Sequence, residues 1–288
     1  MHPATPLRPP HHALLVQQCQ LPGHAFRSPL GRSGKSPLRP RESGLDIDAR
    51  DPRFPVVRRS ACPTTHWKDM ANFSVLCPGD ELIQRLVPNY SQIVDLMVQL
   101  LAAMGGPRSV LDLGAGPGRV AEAIHRRFSQ ARLTLLDASP DVLEIARRRL
   151  PAADATFVVG DYTRADLGRD YDAIAAGLTL HHLDDDGKRA MAGRLYDALA
   201  DGGVLVVSDI VRGSTPAWDR WYEAMWLDHI ADVAQEDEYV LQHYREHDHP
   251  ATVEDQLRWL QQAGFAEVAC HWRHLNFAVY SGRRGARG

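Results

Sequence analysis

The segment Val110-Leu111-Asp112-Leu113-Gly114-Ala115-Gly116-Pro117-Gly118 carries the clearest chemical signal in the chain. An acid closes an apolar run, and three glycines follow at alternate positions. Without a Cβ, Gly114, Gly116 and Gly118 let a ligand lie directly on the backbone. The unpaired N–H groups of a helix beginning at Arg119 favour an anionic group there. The spacing is G-x-G-x-G, and Arg119 stands where a dinucleotide-binding G-x-G-x-x-G would have its third glycine. Asp137 follows the turn at the roughly 20-residue interval of a ribose-binding carboxylate. A carboxylate there accepts from both ribose hydroxyls. Asp161 and Tyr162 close another apolar run, and the pair His181-His182 follows a fourth. Those histidines are candidate general bases for a substrate that must lose a proton; their other reading is a structural bond to backbone.

These residues need a frame, and the chain supplies one. Apolar runs at Val110–Leu113, Leu133–Asp137, Ala155–Tyr162, Tyr171–Leu178 and Gly203–Asp209 read as strands separated by helical patterns. Alternation of that kind predicts an α/β, doubly wound, mostly parallel sheet, with ligands at the carboxyl ends of the strands. Upstream, Leu82, Ile83, Leu86 and Val87 form one helical stripe, and Ile93, Leu96, Met97, Leu100 and Leu101 form another; Pro88-Asn89 separates them. They are expected to cover the ligand site as an N-terminal helical cap. The expected division is a Pro- and Arg-rich tail over residues 1–65, the cap over 66–104 and the catalytic domain over 105–288.

Composition narrows the function. The formal charge of the 288 residues is −3, without a basic block in the folded part. A nucleic-acid footprint needs clustered Lys and Arg, so nucleic acid is not the expected partner. Cys19, Cys62, Cys77 and Cys270 are scattered without a C-x-x-C, which argues against a zinc or disulfide framework, and no metal site is expected. No apolar run is long enough to span a membrane. Residues 1–65 lack apolar periodicity and contain no acid before Glu42, so a disordered tail is expected. Their prolines oppose the amphipathic helix of a transit peptide, Met70 is an alternative start, and the expected location is cytoplasmic.

The V-L-D-L-G-x-G-x-G pattern resembles the first motif of class I S-adenosylmethionine (SAM) methyltransferases. The later strand-end acids and Leu195-Tyr196-Asp197-Ala198-Leu199-Ala200-Asp201-Gly202-Gly203 are similar to that family in the same order. The resemblance implies a Rossmann-like, seven-stranded sheet and SAM as cofactor. It narrows at Glu81–Ile93, Thr252–Gln256, Gln262–Phe265 and Leu275-Asn276-Phe277, which resemble the carboxy-SAM synthase branch, enzymes of tRNA wobble-uridine modification. By that resemblance Tyr90 reaches SAM from the cap. Gly114, Ala115 and Gly116 line the methionine, Asp137 and Ala138 take the ribose, Asp161 and Tyr162 the adenine, and Asp112, Gly118 and Gly177 are further cofactor-binding positions. The synthases place an arginine near Leu241, with Arg245 four residues further on here, and an asparagine where this chain has Gly177. A cofactor carboxylate without a cation is costly to bury. These departures from the synthase pattern favour ordinary methyl transfer, with the synthase reaction as the alternative and a non-catalytic SAM-binding protein as a third class.

Methyl transfer from a sulfonium is an in-line displacement with a neutral leaving group, so positioning supplies much of the rate. A small-molecule acceptor is expected, while its identity and the oligomeric state are left open. Trp218, Trp221, Tyr222, Met225 and Trp226 recur at helical spacing, as packing, a helical flap or an aromatic acceptor pocket. The polar run from His229 to His249 reads as a solvated lid. Within it His243 and His247 share i,i+4 spacing but lack a compact ligand signature.

Overall fold

The computed structural model describes residues 80–232 and 238–285. The expected boundary near residue 65 and the tail before it lie outside these residues. Two helices come first, α1 (Asp80–Leu86) and α2 (Tyr90–Ala103). Asn89 separates them in a left-handed conformation, φ 62°, which Asn tolerates better than most side chains. Five strands follow, β1 (Ser109–Leu113), β2 (Arg132–Asp137), β3 (Ala155–Val159), β4 (Tyr171–Gly177) and β5 (Leu199–Arg212), linked by helices except between β3 and β4, which a loop joins. Between them lie α3 (Arg119–Arg127), α4 (Pro140–Arg149) and α5 (Asp185–Ala198). The C-terminal part adds α6 (Pro216–His229), α7 (Glu238–His247), β6 (Ala251–Thr252), α8 (Val253–Gln262), β7 (Phe265–His274) and β8 (Phe277–Arg284).

The sheet order is β3-β2-β1-β4-β5-β8-β7, with the short β6 pairing β5 off this path. The pairings among β1 to β5 are parallel, and β8 runs antiparallel to both β5 and β7. This is the expected Rossmann-like, mostly parallel seven-stranded sheet, with one added two-residue strand. Strand order reverses direction between β1 and β4, the place where open α/β sheets bind ligands.

Alternation of side chains along a strand divides the core between the two faces. Val110, Leu133, Leu135, Val204, Val206 and Val279 pack with α2, α3 and α4 on one face. Leu111, Leu113, Ile174, Leu205, Val207 and Tyr280 pack with α5 and α8 on the other. Asp112 therefore falls on the α3 side, between Leu111 and Leu113. The cap is tied to the domain by α6: Trp226 is buried and its Nε1 donates to the Leu86 carbonyl at 2.8 Å. The aromatic stripe divides accordingly. Trp218, Trp221 and Met225 are 52%, 48% and 41% exposed, so of these four only Trp226 serves as packing. Among the described residues no helix is long and apolar enough to cross a membrane.

Candidate cofactor and acceptor site

The glycine turn is shaped by three contacts. Gly114, Gly116 and Gly118 all have positive φ (61°, 53° and 80°), a region costly for residues with a Cβ. A Cβ on Gly114 would lie 2.5 Å from Thr179 Cγ2 and Oγ1. The Thr179 hydroxyl reaches the carbonyls of Leu113, Gly114 and Gly177 at 3.1, 3.3 and 3.1 Å, clamping the end of β4 to the turn. A Cβ on Gly118 would come within 2.9 Å of Ala146 Cβ, so that glycine permits close packing of α3 on α4. Gly116 faces open space, with nothing within 4 Å of a Cβ built there. Gly116 is thus the turn position whose bare backbone faces the space where a ligand would lie, and Ala115 beside it is buried.

Two acids brace the turn. Asp112, 2% exposed, accepts from Ala121 N–H at 3.1 Å. Gly118 gives α3 no side-chain cap, so the strand acid satisfies a donor in the helix's first turn. Burial pushes the Asp112 carboxyl up from 3.8 to about 7; the Ala121 hydrogen bond opposes this and the Asp137 charge adds to it. Asp137 at the end of β2 accepts from Gly116 N–H and from Ser139 N–H, both at 2.9 Å. Burial raises its pKa too, against the backbone donors of Ser139, Gly116 and Ala138. Ala138 is exposed between Asp137 and the α4 cap Ser139.

The remaining cofactor candidates surround the same end of the sheet. Tyr90, at the first turn of α2, has its ring 6.0 Å from the Arg119 guanidinium, and burial followed by the Asp112 charge raises its hydroxyl pKa. Asp161 accepts from Thr163 N–H at 2.8 Å and from Thr163 Oγ1 at 2.6 Å, an arrangement that shapes its own loop. The Tyr162 hydroxyl donates to the Thr179 carbonyl at 3.0 Å. Gly177 packs tightly, since a Cβ there would meet Val120 Cγ2 at 2.9 Å.

A second cluster adjoins the turn. His181 and His182 lie in a 3-10 turn, Leu180–His182, directly after Thr179. His181 is buried, and its Nδ1 lies 2.5 Å from Asp209 Oδ1. Its Nε2 lies 3.7 Å from Asp248 Oδ1, which is also 3.2 Å from His182 Nδ1. Burial opposes charge on His181, but Asp209 and Asp248 outweigh it and its pKa is raised. His182 is lowered by burial and by the His181 charge, against Asp248. Lys188, 3% exposed, donates from Nζ to the carbonyls of Leu183 and His249, and His249 N–H donates to the His181 carbonyl at 2.7 Å.

Four participants in this site went unassigned on the sequence. Thr179 and Lys188 act through backbone carbonyls, for which no residue pattern exists. Asp209 is a strand-end acid like Asp137, and that similarity was the available signal. Asp248 lay within the run expected to be a solvated lid. The structure corrects that expectation locally: the Asp248 side chain is 5% exposed, while Arg245, Glu246 and His247 are exposed. The side chains of Leu241 and His243 lie outside the described residues.

Comparison with known proteins agrees with this architecture. Residues 110–203 match the methyltransferase domain family. The chain is 30% identical over 255 residues to the carboxy-S-adenosyl-L-methionine synthase of Chromohalobacter salexigens, covering 83% of this chain and 92% of that one. It is 29% identical over 241 residues to the Pseudomonas fluorescens Pf0-1 protein of the same name, covering 76% and 94%. Among solved structures, the N-methyltransferase NodS of Bradyrhizobium japonicum WM9, in complex with S-adenosyl-l-homocysteine, superposes with a TM-score of 0.55 at 17% identity, over 75% of this chain and 97% of that one. The likeness to NodS speaks for the fold, and the similarity along nearly the whole length of the synthases speaks for descent. The chain belongs to the class I SAM-dependent methyltransferase family, on the branch that includes the carboxy-SAM synthases.

Proposed function

We propose that this methyltransferase binds SAM across the Gly114–Gly118 turn and transfers its methyl group to a small-molecule acceptor beside the His181-His182 turn. In this reading the methionine end lies on the backbone at Gly116, and Tyr90 closes over it from the cap. Asp137 exchanges part of its backbone hydrogen bonding for the ribose hydroxyls, and Asp161 and Tyr162 border the adenine. Positive charge on sulfur disappears as the methyl leaves, so the protein's task is to align the acceptor and exclude water. Acceptors that must first lose a proton meet the His181–Asp209–Asp248–His182 cluster. Non-catalytic binding gives that cluster no chemical role.

The observation that carries methyl transfer over the synthase reaction is Gly177. With Val120 Cγ2 2.9 Å from a Cβ, the asparagine of the synthases would require the Val120 side chain or α3 to shift. Arg245, the nearest alternative for holding a cofactor carboxylate, is exposed on α7. The synthase reaction stands as the second reading because the similarity to those enzymes runs over most of the chain. Mass spectrometry of co-purified cofactor and competition binding with both cofactors separate the two. Methyl transfer requires SAM or its demethylated product in the protein and tighter binding of SAM. Tighter binding of carboxy-SAM, lost in Arg245→Ala, would overturn it in favour of the synthase.

A further inference from the structure

Three ligating atoms converge beside the glycine turn. One atom each from His181, His182 and Asp248 lies within 4.8 Å of the others. The two measured edges at Asp248 Oδ1, 3.2 and 3.7 Å, bracket the roughly 3.3 Å edge of a tetrahedron with metal–nitrogen bonds of about 2.0–2.1 Å. The three side chains are 6%, 21% and 5% exposed, which distinguishes them from a solvated acidic patch. In addition, Asp209 holds the far nitrogen of His181 at 2.5 Å. A carboxylate on the second ring nitrogen is the usual outer partner of a metal-bound histidine; it fixes the tautomer and points the Nε2 lone pair inward. Nε2 then faces an Asp248 oxygen across 3.7 Å, too far for a direct hydrogen bond and wide enough for an ion that both atoms ligate. The chain also fixes Asp248 in place. Lys188 grips the carbonyl of His249, and His249 N–H bonds the His181 carbonyl, so the residue after Asp248 is pinned to the histidine turn.

We propose that His181, through Nε2, His182 and Asp248 bind a divalent first-row transition-metal ion, zinc above all, with a fourth position open to the acceptor's heteroatom. Two imidazoles and one carboxylate match the three-ligand, one-open-position pattern of catalytic zinc. The site deepens the methyltransferase reading, on which its role in the reaction rests, by naming the acceptor class: a compound whose hydroxyl or comparable heteroatom can coordinate the ion. Coordination lowers the pKa of that hydroxyl. Its proton is released to water, its oxygen lone pair forms the bond to the methyl carbon, and the C–S bond breaks with its electron pair remaining on sulfur. The products are the methyl ether and a neutral thioether, and the ion is unchanged.

The test uses the full chain, stripped by a chelator and titrated with Zn2+ and Co2+ alone. One Zn2+ per chain should bind above the background from other histidines, and Co2+ should give the visible d–d bands of a low-coordinate site. His182→Ala and Asp248→Ala should abolish the bands. Asp209→Asn, acting through His181, should weaken metal affinity by about 10–100-fold while the bands keep their shape. X-ray absorption at the zinc edge of the unsubstituted protein should show two imidazoles, so the outcome does not hang on variants that fail to fold. Absence of bands in the unsubstituted chain, or equal bands in both alanine variants, would overturn the site. SAM affinity measured in the same samples separates the two readings. Metal without SAM binding removes the methyltransferase reading, and SAM binding without metal removes the ion.

Discussion

Asp112→Asn should reveal whether the strand acid is held against its preferred charge state. Asp112 is buried on the α3 face of β1, and its described hydrogen bond comes from Ala121 N–H at 3.1 Å. Raising a carboxyl from 3.8 to about 7 is worth about 4 kcal/mol, at about 1.4 kcal/mol per factor of ten in proton affinity. This is an upper bound, because water penetration and relaxation reduce it. The folded state binds this proton more tightly than the unfolded chain does. Its contribution to stability is therefore fully present below pH 3.8 and is lost as pH rises to about 7. Asparagine keeps an acceptor for Ala121 and has no proton to lose. In urea unfolding at a series of pH values, the two proteins should be similar near pH 4. The variant should then gain on the parent up to about pH 7, by at most about 4 kcal/mol, and stay level above it. Groups that do not interact with Asp112 cancel in the difference, and Asp137, whose charge adds to the Asp112 shift, is the coupled group in this window. A difference that is flat with pH, within about 0.5 kcal/mol, would show that Asp112 carries its charge without penalty and would refute the reasoning.

Gly114→Ala should destabilise the protein by about 2–5 kcal/mol, combining about 1–2 kcal/mol for a left-handed alanine with about 1–3 kcal/mol for displacing the Thr179 clamp. Adding Thr179→Ala removes the two atoms at 2.5 Å and leaves the Cβ at 3.1 Å, so the double variant should be less destabilised than the sum of the singles; additivity in denaturant unfolding would sink the clash. Asp137→Asn places an amide NH2 against Gly116 N–H or Ser139 N–H, each 2.9 Å from a carboxylate oxygen. Calorimetric titration should show SAM affinity reduced by at least about tenfold, as expected for a lost charged hydrogen bond of about 1.5–3 kcal/mol; unchanged affinity would dissociate Asp137 from the ribose. Trp226→Phe removes the Nε1 bond to Leu86 and should cost about 1 kcal/mol, read as a lower denaturation midpoint; an unchanged midpoint would mean that this bond does not anchor the cap.

Much of the frame was legible along the chain because the relevant patterns are local. Alternating apolar runs specify strands, the acid and three glycines specify a turn that accepts a ligand, and the Pro88-Asn89 break between two stripes specifies the paired cap helices. The Gly114–Gly118 turn and Asp137 could be placed together because a parallel sheet brings consecutive strand ends side by side. The histidine pair was legible as chemistry, yet its partners were not. Asp209 and Asp248 reach His181 across 28 and 67 residues, and nothing local marks an acid at those distances as a neighbour. Asp248 even sits in a run polar enough to read as solvated, and only the fold buries it. Thr179 acts through backbone carbonyls, which every residue carries, so its sequence context holds no trace of the clamp. Gly177 shows the same limit: the sequence displays a glycine, but only packing of β4 on α3 shows that a Cβ there would press on the Val120 methyl. Local periodicity and turn chemistry thus determined the elements and their order. Which side chains share a buried volume depended on how the two faces of the sheet were covered, a property of the whole fold.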